Sequence, residues 1–338
     1  MTFTSRPIGK TSLCIPTLGF GAAPLGGLFD AVNGAQAMQT LAAAYDSGMT
    51  YVDTAPFYGF GLSERRVGDI LRGKDYVLST KVGRILTPGA MTNPGAMGWP
   101  DALPFHPVFD YSYDGIMRSV EASLHRLGLD RIDILYVHDI GEATHGAQNA
   151  QHFKTLADSG YRALEQLRDE GRVKAIGLGV NETQVCLDAL EIGNWDAFLL
   201  AGRYTLLEQD PIVSLFPKCA TQNVSIIVGG PFNSGILVGG ETWDYGAAPD
   251  HIRKKVARLR QVCQDFDVPL PAAALQFPLG HTSVASVIPG LRNQGELEAT
   301  LNWIGVDIPD AFWAALKEQS LLHSDAPTPS GTPFLKDK

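Results

Sequence analysis

The chain has 338 residues, of which 45% are hydrophobic and 19% charged, and its formal net charge is −9. This composition is typical of a globular protein, and no run approaches the roughly 20 apolar residues that span a membrane. The negative net charge argues against nucleic-acid binding, because a nucleic-acid footprint needs a basic face that displaces counterions. The negative net charge does not exclude a local basic pocket for a phosphate-bearing ligand.

The first residues, MTFTSRP, lack both the apolar core of a secretion signal and the Arg-rich character of a transit peptide, so we expect a cytoplasmic protein. Four cysteines are scattered along the chain, with no Cys-x-x-Cys pair and no histidine at ligand spacing: Cys14, Cys186, Cys219 and Cys263. This spacing favours neither zinc nor disulfides and predicts reduced core residues. Nothing in the sequence indicates an oligomeric state.

Short β-rich runs alternate with helical patterns along the chain, which is typical of repeated βα units and a parallel sheet. The predicted strands cover residues 18–21, 51–53, 77–81, 132–137, 173–178, 197–200, 225–228 and 286–288. The clearest predicted helices cover residues 35–47, 62–72, 113–127, 161–170, 182–192 and 251–266. Eight such units favour a closed (β/α)₈ TIM barrel.

An open, doubly wound sheet is the structural alternative, but its dinucleotide-binding form needs Gly-x-Gly-x-x-Gly after the first strand. Here residues 20–27 read FGAAPLGG, with glycines at other spacings and a proline between them. Residues 6–16 predict a hairpin that plugs the N-terminal end of the barrel. Residues 83–110, rich in Gly and Pro and without periodicity, predict a long loop after the third strand that shapes the substrate mouth.

We assign residues 1–323 to a single domain, because no repeat, low-complexity tract or linker-like change in composition divides them. Residues 324–338 hold three prolines and are predicted to be a tail. Such a tail either drapes over the surface or frays.

Four polar residues follow or end successive predicted strands, where an α/β enzyme keeps its chemistry: Asp53, Tyr58, Lys81 and His138. A phenol beside an ammonium, a carboxylate and an imidazole suits proton transfer at a carbonyl or carbinol carbon. With a pKa of about 10, an unperturbed tyrosine is too weak an acid and base for this task, and a neighbouring Lys⁺ is expected to lower that pKa.

Each of these residues also has a structural interpretation. Tyr58 can cap the core, and His138 taken singly is more often a core histidine with satisfied hydrogen bonds. Lys81 lies within an apolar strand, where an unpaired charge is costly, so it must meet a carboxylate such as Asp53. A purely structural pair between these two residues stays open.

Several motifs together resemble the aldo-keto reductase family. They are DTAPFYG at 53–59 followed by Ser63 and Glu64, STK at 79–81, and RLGLD at 126–130 leading to YVH at 136–138. The resemblance implies a barrel oxidoreductase that uses NAD(P) and no metal. It also implies that Tyr58 gives or takes the proton, that Lys81 and Asp53 tune it, and that His138 orients the substrate oxygen.

The resemblance extends to cofactor binding. AIGLGVN at 175–181 is similar to the strand-five motif whose Asn holds the nicotinamide carboxamide, which implies this role for Asn181. Its alternative role is the N-cap of a helix that begins at Glu182. VIPGLRN at 287–293, followed by a helix from Glu296, resembles the turn that holds the adenosine phosphate. The candidates there are Pro289, Gly290, Arg292 and Glu296.

Departures from the family pattern bear on the cofactor. Family members that bind a 2′-phosphate typically carry Arg at the position of Glu296, so we expect NAD in preference to NADP, although Arg292 can still pair with a phosphate. Glu296 can equally be a solvated first-turn helix residue. Ala201 and Gly229 replace the family's usual Gln and stacking Tyr. Backbone amides near Asn233, Ser234 and Gly235 are candidates for the pyrophosphate.

FDYSYD at 109–114, HDI at 138–140 and GLGVN at 177–181 resemble the family branch that oxidises aldoses, or pyridoxal, at a hemiacetal carbon. This implies oxidation of an L-fucose-, L-galactose- or D-arabinose-type aldose at C1 to the lactone, with Tyr58 as the base. A sugar site needs polar groups on an apolar platform. The candidate substrate contacts are Trp99, Asp101, His106 and Asp139.

Three other functions stay open at this point. They are a dehydrogenase of pyridoxal-like hemiacetals that forms 4-pyridoxolactone, an NADPH-dependent aldehyde reductase, and a non-catalytic binding protein on the same barrel. The complete set of four polar residues at the strand ends disfavours the non-catalytic protein. In each case the expected ligand is a small molecule, with neither nucleic acid nor a membrane as partner.

Overall fold

The computed structural model describes residues 3–332 and 334–336, and these form a barrel of eight parallel strands. The strands are β1 (Phe20–Gly21), β2 (Tyr51–Asp53), β3 (Val77–Val82), β4 (Ile134–His138), β5 (Ala175–Val180), β6 (Ala197–Ala201), β7 (Ser225–Gly229) and β8 (Val284–Ile288). Neighbours in sequence pair in the sheet. Parallel bridges from Leu18 to Val287 and from Gly21 to Gly290 join the two edges. The predicted (β/α)₈ barrel is confirmed.

The strand register brings the polar residues onto the interior face of the barrel. Asp53 pairs with Ser79, Lys81 with Tyr136 and His138 with Gly179. Paired residues share a face of the sheet, and so do residues two apart in one strand. Asp53, Lys81 and His138 therefore point the same way and step towards the C-terminal end of the barrel.

Helices cover the outside of the barrel. They are α1 (Gly34–Asp46), α2 (Leu62–Leu71), α3 (Tyr113–Leu127), α4 (Glu142–His145), α5 (Asn149–Thr155), α6 (Tyr161–Asp169), α7 (Thr183–Ala189), α8 (Pro211–Gln222), α9 (Asp250–Asp265), α10 (Leu270–Gln276), α11 (Gln294–Ile304) and α12 (Asp310–Glu318). The six predicted helices are present, and α7 ends three residues before its predicted end.

The N-terminal hairpin, Ser5–Pro7 with Cys14–Pro16, is confirmed. Its apolar residues Ile8, Leu13 and Ile15 are buried in one cluster with barrel-interior side chains, including Tyr51. Cys14 corrects the prediction of four core cysteines, because it is exposed whereas the other three are buried.

Residues 83–110 differ from the predicted aperiodic loop. They contain a second antiparallel hairpin, in which Arg84–Pro88 pairs with Phe105–Phe109, and a 3₁₀ turn at Pro94–Met97. The pairing could not be predicted because the two strands are separated by a Gly- and Pro-rich connection. The five residue pairs form across that connection, so they leave no periodic pattern in the local sequence. The segment nevertheless borders the predicted mouth.

The described part of the predicted tail packs onto the barrel. Phe334 is buried, and its carbonyl accepts hydrogen bonds from Thr4 N (2.9 Å) and Thr17 Oγ1 (3.0 Å). Residues 333, 337 and 338 lie outside the described residues. Among the residues described, no helix is both long and apolar enough to cross a membrane.

A buried ion pair joins two helices to the barrel. Arg126 Nε of α3 lies 2.5 Å from Glu64 Oε2 of α2, and Thr80 Oγ1 of β3 donates to Glu64 Oε1 at 2.8 Å. The Glu64 side chain is fully buried. Each charge is therefore stabilised mainly by the other, because burial limits its contact with water.

We expect Glu64→Gln to lower the free energy of unfolding by about 3 kcal/mol, because it leaves the Arg126 guanidinium without its counter-charge. Urea denaturation followed by circular dichroism measures the change. Glu298→Gln, on the exposed side of α11, is the matched control and should change stability by less than about 0.5 kcal/mol. Equal effects of the two substitutions would contradict the structural importance of this pair.

Candidate active site

A cavity of about 560 Å³ opens at the C-terminal end of the barrel strands. Tyr58, Lys81 and His138 all line it, and so does Asp139. Asp53 lies directly behind Lys81, to which it is bonded. The structure thus brings all four predicted catalytic residues together at one end of the barrel.

Lys81 is held by two acceptors. Its Nζ donates to Asp53 Oδ2 at 2.6 Å and to the Thr54 carbonyl at 2.9 Å, while Ser79 Oγ donates to Asp53 Oδ1 at 2.7 Å. Both charged side chains are at most 3% exposed. On β5, a Cβ added at Gly179 would lie 3.1 Å from Lys81 Cε, so the missing side chain leaves room for the lysine.

Tyr58 follows β2 and packs within the cluster. Lys81 Nζ lies 4.6 Å from the centre of its ring, and the ring centre of His138 lies 5.8 Å away. Burial raises the pKa of Tyr58 well above its usual value, and Asp53 and Asp139 add to the rise. The prediction of a lowered pKa for Tyr58 is therefore wrong, because the loss of hydration on burial outweighs the nearby positive charge. Tyr58 is a phenol at neutral pH.

His138 is a neutral imidazole. Burial lowers its pKa well below the usual value, and the positive charges of Arg84 and Lys81 lower it further. Its Nε2 lies 3.4 Å from Asp139 Oδ2, and its buried Nδ1 has no hydrogen-bond partner in the described part of the chain. The Tyr111 hydroxyl donates to its carbonyl at 2.8 Å. A neutral ring carries one N–H that can donate to a substrate oxygen.

Asn181 lies at the end of β5 and lines the cavity. The alternative N-cap role is wrong, since α7 begins at Thr183 and its N-cap is Glu182. Instead, Asn181 Nδ2 donates to the Tyr245 hydroxyl at 3.1 Å.

A second, small pocket of about 20 Å³ adjoins the cavity, and its lining includes Ala201, Gly202, Gly230, Asn233 and Ser234. Asn233 Nδ2 donates to the Gly202 carbonyl (3.1 Å) and to Glu208 Oε2 (2.9 Å). Its buried Oδ1 has no partner among the described residues. A pocket of this size holds about one water molecule, so the predicted phosphate site is closed to a dinucleotide in this conformation.

The predicted pyrophosphate amides are already in use. The amides of Asn233 and Gly235 donate to the carbonyls of Gly230 and Phe232, both at 3.0 Å. These amides are therefore committed to closing the turn in this conformation.

The turn after β8 lies at the same end of the barrel but outside the cavity. The Pro289 carbonyl accepts from Gly21 N at 3.0 Å, which ties the turn to β1, and Gly290 is exposed. Arg292 pairs with Asp30 at 3.1 Å. Glu296 accepts from Arg292 N at 2.8 Å, so its carboxylate helps to cap α11. This supports the first-turn interpretation of Glu296 and leaves its role towards a cofactor a prediction.

The four predicted substrate contacts divide into two pairs. Trp99, 2% exposed, and Asp139 both line the cavity. His106 and Asp101 are corrections, because both are exposed and neither belongs to the cavity wall. The hairpin pairing turns His106 towards Thr87, whose Oγ1 lies 2.7 Å from its Nε2.

Two cavity-bordering residues were missed at the level of sequence. Arg84 is 5% exposed and forms an ion pair with Asp139. Arg84 lies two residues beyond β3, in a segment predicted to be an aperiodic loop, and only its position shortly after an apolar strand could have indicated it. Tyr245, in the hairpin Thr242–Trp243 with Gly246–Ala247, lines the cavity from a loop that carries no periodic pattern.

Comparison with known proteins agrees with this geometry. Residues 17–320 match the profile of the Aldo/keto reductase family. The chain belongs to the aldo-keto reductase family. It is therefore an NAD(P)-dependent oxidoreductase, and the expectation of a non-catalytic barrel is set aside.

Three similar proteins illustrate the range of the family. Pyridoxal 4-dehydrogenase from Microbacterium luteolum is 44% identical over 94% of this chain and 97% of that protein. D-threo-aldose 1-dehydrogenase from a Pseudomonas species is 39% identical over 97% of this chain and 100% of that protein. The solved aldo-keto reductase AKR11C1 from Bacillus halodurans, 24% identical, covers 98% of this chain and 99% of its own, with a TM-score of 0.75.

We expect Tyr58→Phe to lower kcat by at least about a hundredfold, because it removes the proton relay, and to leave NADH affinity within about twofold. Stopped-flow kinetics and NADH fluorescence titration measure the two quantities. Tyr204→Phe is the matched control, since it removes a buried hydroxyl that has no hydrogen-bond partner within the described residues and lies outside the cavity. A kcat near the wild-type value in Tyr58→Phe would refute the relay.

We also expect the rate of alcohol oxidation to rise with pH. Because the pKa of Tyr58 is raised, the phenolate that accepts a proton is scarce at neutral pH and increases about tenfold per pH unit. Measured kcat should follow this slope from pH 7 upward until another step limits the rate. A flat profile that persists when chemistry is rate-limiting would mean that Tyr58 is not the base.

Proposed function

We propose that this protein is a cytoplasmic enzyme that oxidises the hemiacetal carbon of a small cyclic substrate, foremost an aldose at C1, to a lactone. The observation that carries the proposal is the convergence of Tyr58, Lys81 and His138 on one cavity, with Asp53 holding the lysine at 2.6 Å. The aldose dehydrogenase relative, which this chain matches along its whole length, supports this choice of substrate.

In the proposed reaction, the C1 hydroxyl loses its proton and C1 loses a hydride, so that the C1–O single bond becomes the lactone carbonyl. The bound nicotinamide supplies the hydride acceptor. Tyr58 takes the hydroxyl proton as phenolate. Lys81⁺ favours that anionic form, and Asp53 holds Lys81 in place. His138, as the neutral imidazole, donates its N–H to the reacting oxygen.

For the cofactor we propose NAD in preference to NADP. Arg292 already pairs with Asp30, and the Glu296 carboxylate would repel a 2′-phosphate. Asn181 would then hold the nicotinamide carboxamide after releasing Tyr245. Asn233, Ser234, Gly235, Pro289 and Gly290 would hold the phosphates and adenosine once the small pocket beside Asn233 has widened.

Pyridoxal is the second candidate substrate. The cavity wall contains aromatic rings: the ring centres of Phe57 and Trp99 lie 5.5 Å apart in an edge-to-face arrangement, and those of Trp99 and Tyr58 lie 5.6 Å apart. Flat aromatic surfaces suit a pyridine ring as well as the apolar face of a sugar. The pyridoxal 4-dehydrogenase relative supports this candidate.

The experiment is NAD⁺ and NADP⁺ reduction at alkaline pH with L-fucose, L-galactose, D-arabinose and pyridoxal. We expect kcat/KM to be highest for one of the aldoses and higher with NAD⁺ than with NADP⁺. Tyr58→Phe, assayed beside the wild type, controls for contaminating dehydrogenases. Preference for pyridoxal would replace the first candidate by the second. NADPH consumption with simple aldehydes and no sugar oxidation would instead indicate an aldehyde reductase.

A further inference from the structure

The ion pair between Arg84 and Asp139 lies at the edge of the cavity. It is next to Tyr58, Lys81 and His138, but neither of its members is one of the predicted catalytic residues. Arg84 Nη2 donates to Asp139 Oδ2. The guanidinium lies 3.9 Å from the centre of the Phe57 ring and 5.1 Å from that of Phe109. These contacts with two aromatic rings and a carboxylate hold the guanidinium in place.

Asp139 occupies an unusual backbone position. It directly follows His138 at the end of β4 and has φ 45°, in the left-handed region that favours glycine. Its amide donates to the Gly179 carbonyl at 2.9 Å, which fixes the turn. Backbone strain held in place beside a catalytic residue suggests that the direction of this side chain matters.

The two carboxylate oxygens of Asp139 have different surroundings. Oδ2 is bonded to Arg84 and lies 3.4 Å from His138 Nε2. Oδ1 accepts no hydrogen bond within the described residues, and one fifth of the side chain is exposed to the cavity. Asp139 therefore offers a free anionic oxygen to whatever occupies the cavity beside His138.

The cavity that this oxygen faces also has apolar walls. Leu28, Phe29, Met97 and Trp99 line the same cavity. A carboxylate in partly dry surroundings forms strong, charge-assisted hydrogen bonds with hydroxyl groups. An ion pair stabilises the charged form of such a carboxylate, and removal of its cationic partner leaves that charge without compensation.

We propose that Asp139 accepts a hydrogen bond from the hydroxyl on the carbon next to the reacting carbon, and that Arg84 is the positioning residue that keeps this carboxylate in place. The inference rests on the proposed function and adds the substrate class to it, namely 2-hydroxy hemiacetals. His138 contacts the reacting oxygen, and the Asp139 carboxylate lies beside it, with Oδ2 3.4 Å from His138 Nε2, so the two side chains can reach oxygens on adjacent carbons. The pair thus recognises a vicinal diol.

The test combines a change in the enzyme with a change in the substrate. L-fucose and 2-deoxy-L-fucose are oxidised by wild type and by Asp139→Asn, and kcat/KM is measured for all four combinations. We expect Asp139→Asn to lower kcat/KM for L-fucose by about ten- to a hundredfold and for 2-deoxy-L-fucose by less than about threefold, because the deoxy sugar lacks the bonded hydroxyl. Asp250→Asn, in an exposed ion pair on α9, is the matched control and should change neither value.

The outcomes separate the two proposals. An equal loss for both sugars would overturn the role of Asp139 and leave the oxidation of aldoses in place. Failure of the wild-type enzyme to oxidise any aldose of the panel would overturn the proposed function and this inference with it.

The positioning role of Arg84 is tested by the pH dependence of KM, which a purely structural role would not change. The groups that face Asp139 are Arg84, Lys81, His138, Tyr58, Tyr111 and Tyr245. Burial raises the pKa of Asp139, and Arg84 and Lys81 oppose the rise. Removal of Arg84 should raise this pKa further, so the bonding carboxylate would be lost as pH falls.

We therefore expect the KM of Arg84→Gln for L-fucose to increase at least about threefold more than that of wild type between pH 9 and pH 6. The KM for 2-deoxy-L-fucose should not show this extra dependence, and Arg84→Lys should partly restore the wild-type profile. Thermal melting confirms that each variant is folded. Parallel profiles for wild type and Arg84→Gln with L-fucose would overturn the positioning role.

Discussion

A lysine inside the barrel is the constraint on which the rest of the site depends. An ammonium in a parallel barrel interior is costly unless acceptors surround it. Asp53, the Thr54 carbonyl and the supporting Ser79 hydroxyl meet that need, and Gly179 leaves the space that the side chain requires. These contacts link β2, β3 and β5. The Lys81–Asp53 interaction therefore both stabilises the fold and organises the site.

Burial and the charged side chains near Lys81 also set the protonation states of its neighbours. His138 stays neutral because burial and two nearby cations disfavour a third positive charge. Tyr58 stays protonated because burial, together with Asp53 and Asp139, disfavours a further anion. A neutral donor and a phenol beside a fixed cation form an arrangement suited to moving one proton at a carbon–oxygen bond, in either direction.

In the proposed function, substrate specificity lies in the segments that follow the strands, outside the group of Tyr58, Lys81, Asp53 and His138. The hairpin after β3 supplies Arg84, the turn after β4 supplies Asp139, and the hairpin after β7 supplies Tyr245. A barrel whose loops vary while its strands keep their register can serve aldoses in one relative and pyridoxal in another. The relatives at 44% and 39% identity carry those two names.

The amino-acid sequence by itself determined the eight βα units and the residues at the strand ends, because strand and helix periodicity are local and a buried lysine demands a carboxylate. Only the tertiary structure decided which loop side chains reach the cavity. His106 turns out to Thr87, and Arg84 turns in to Asp139. Such directions follow from pairings between segments far apart in the chain, which leave no periodic pattern in the sequence.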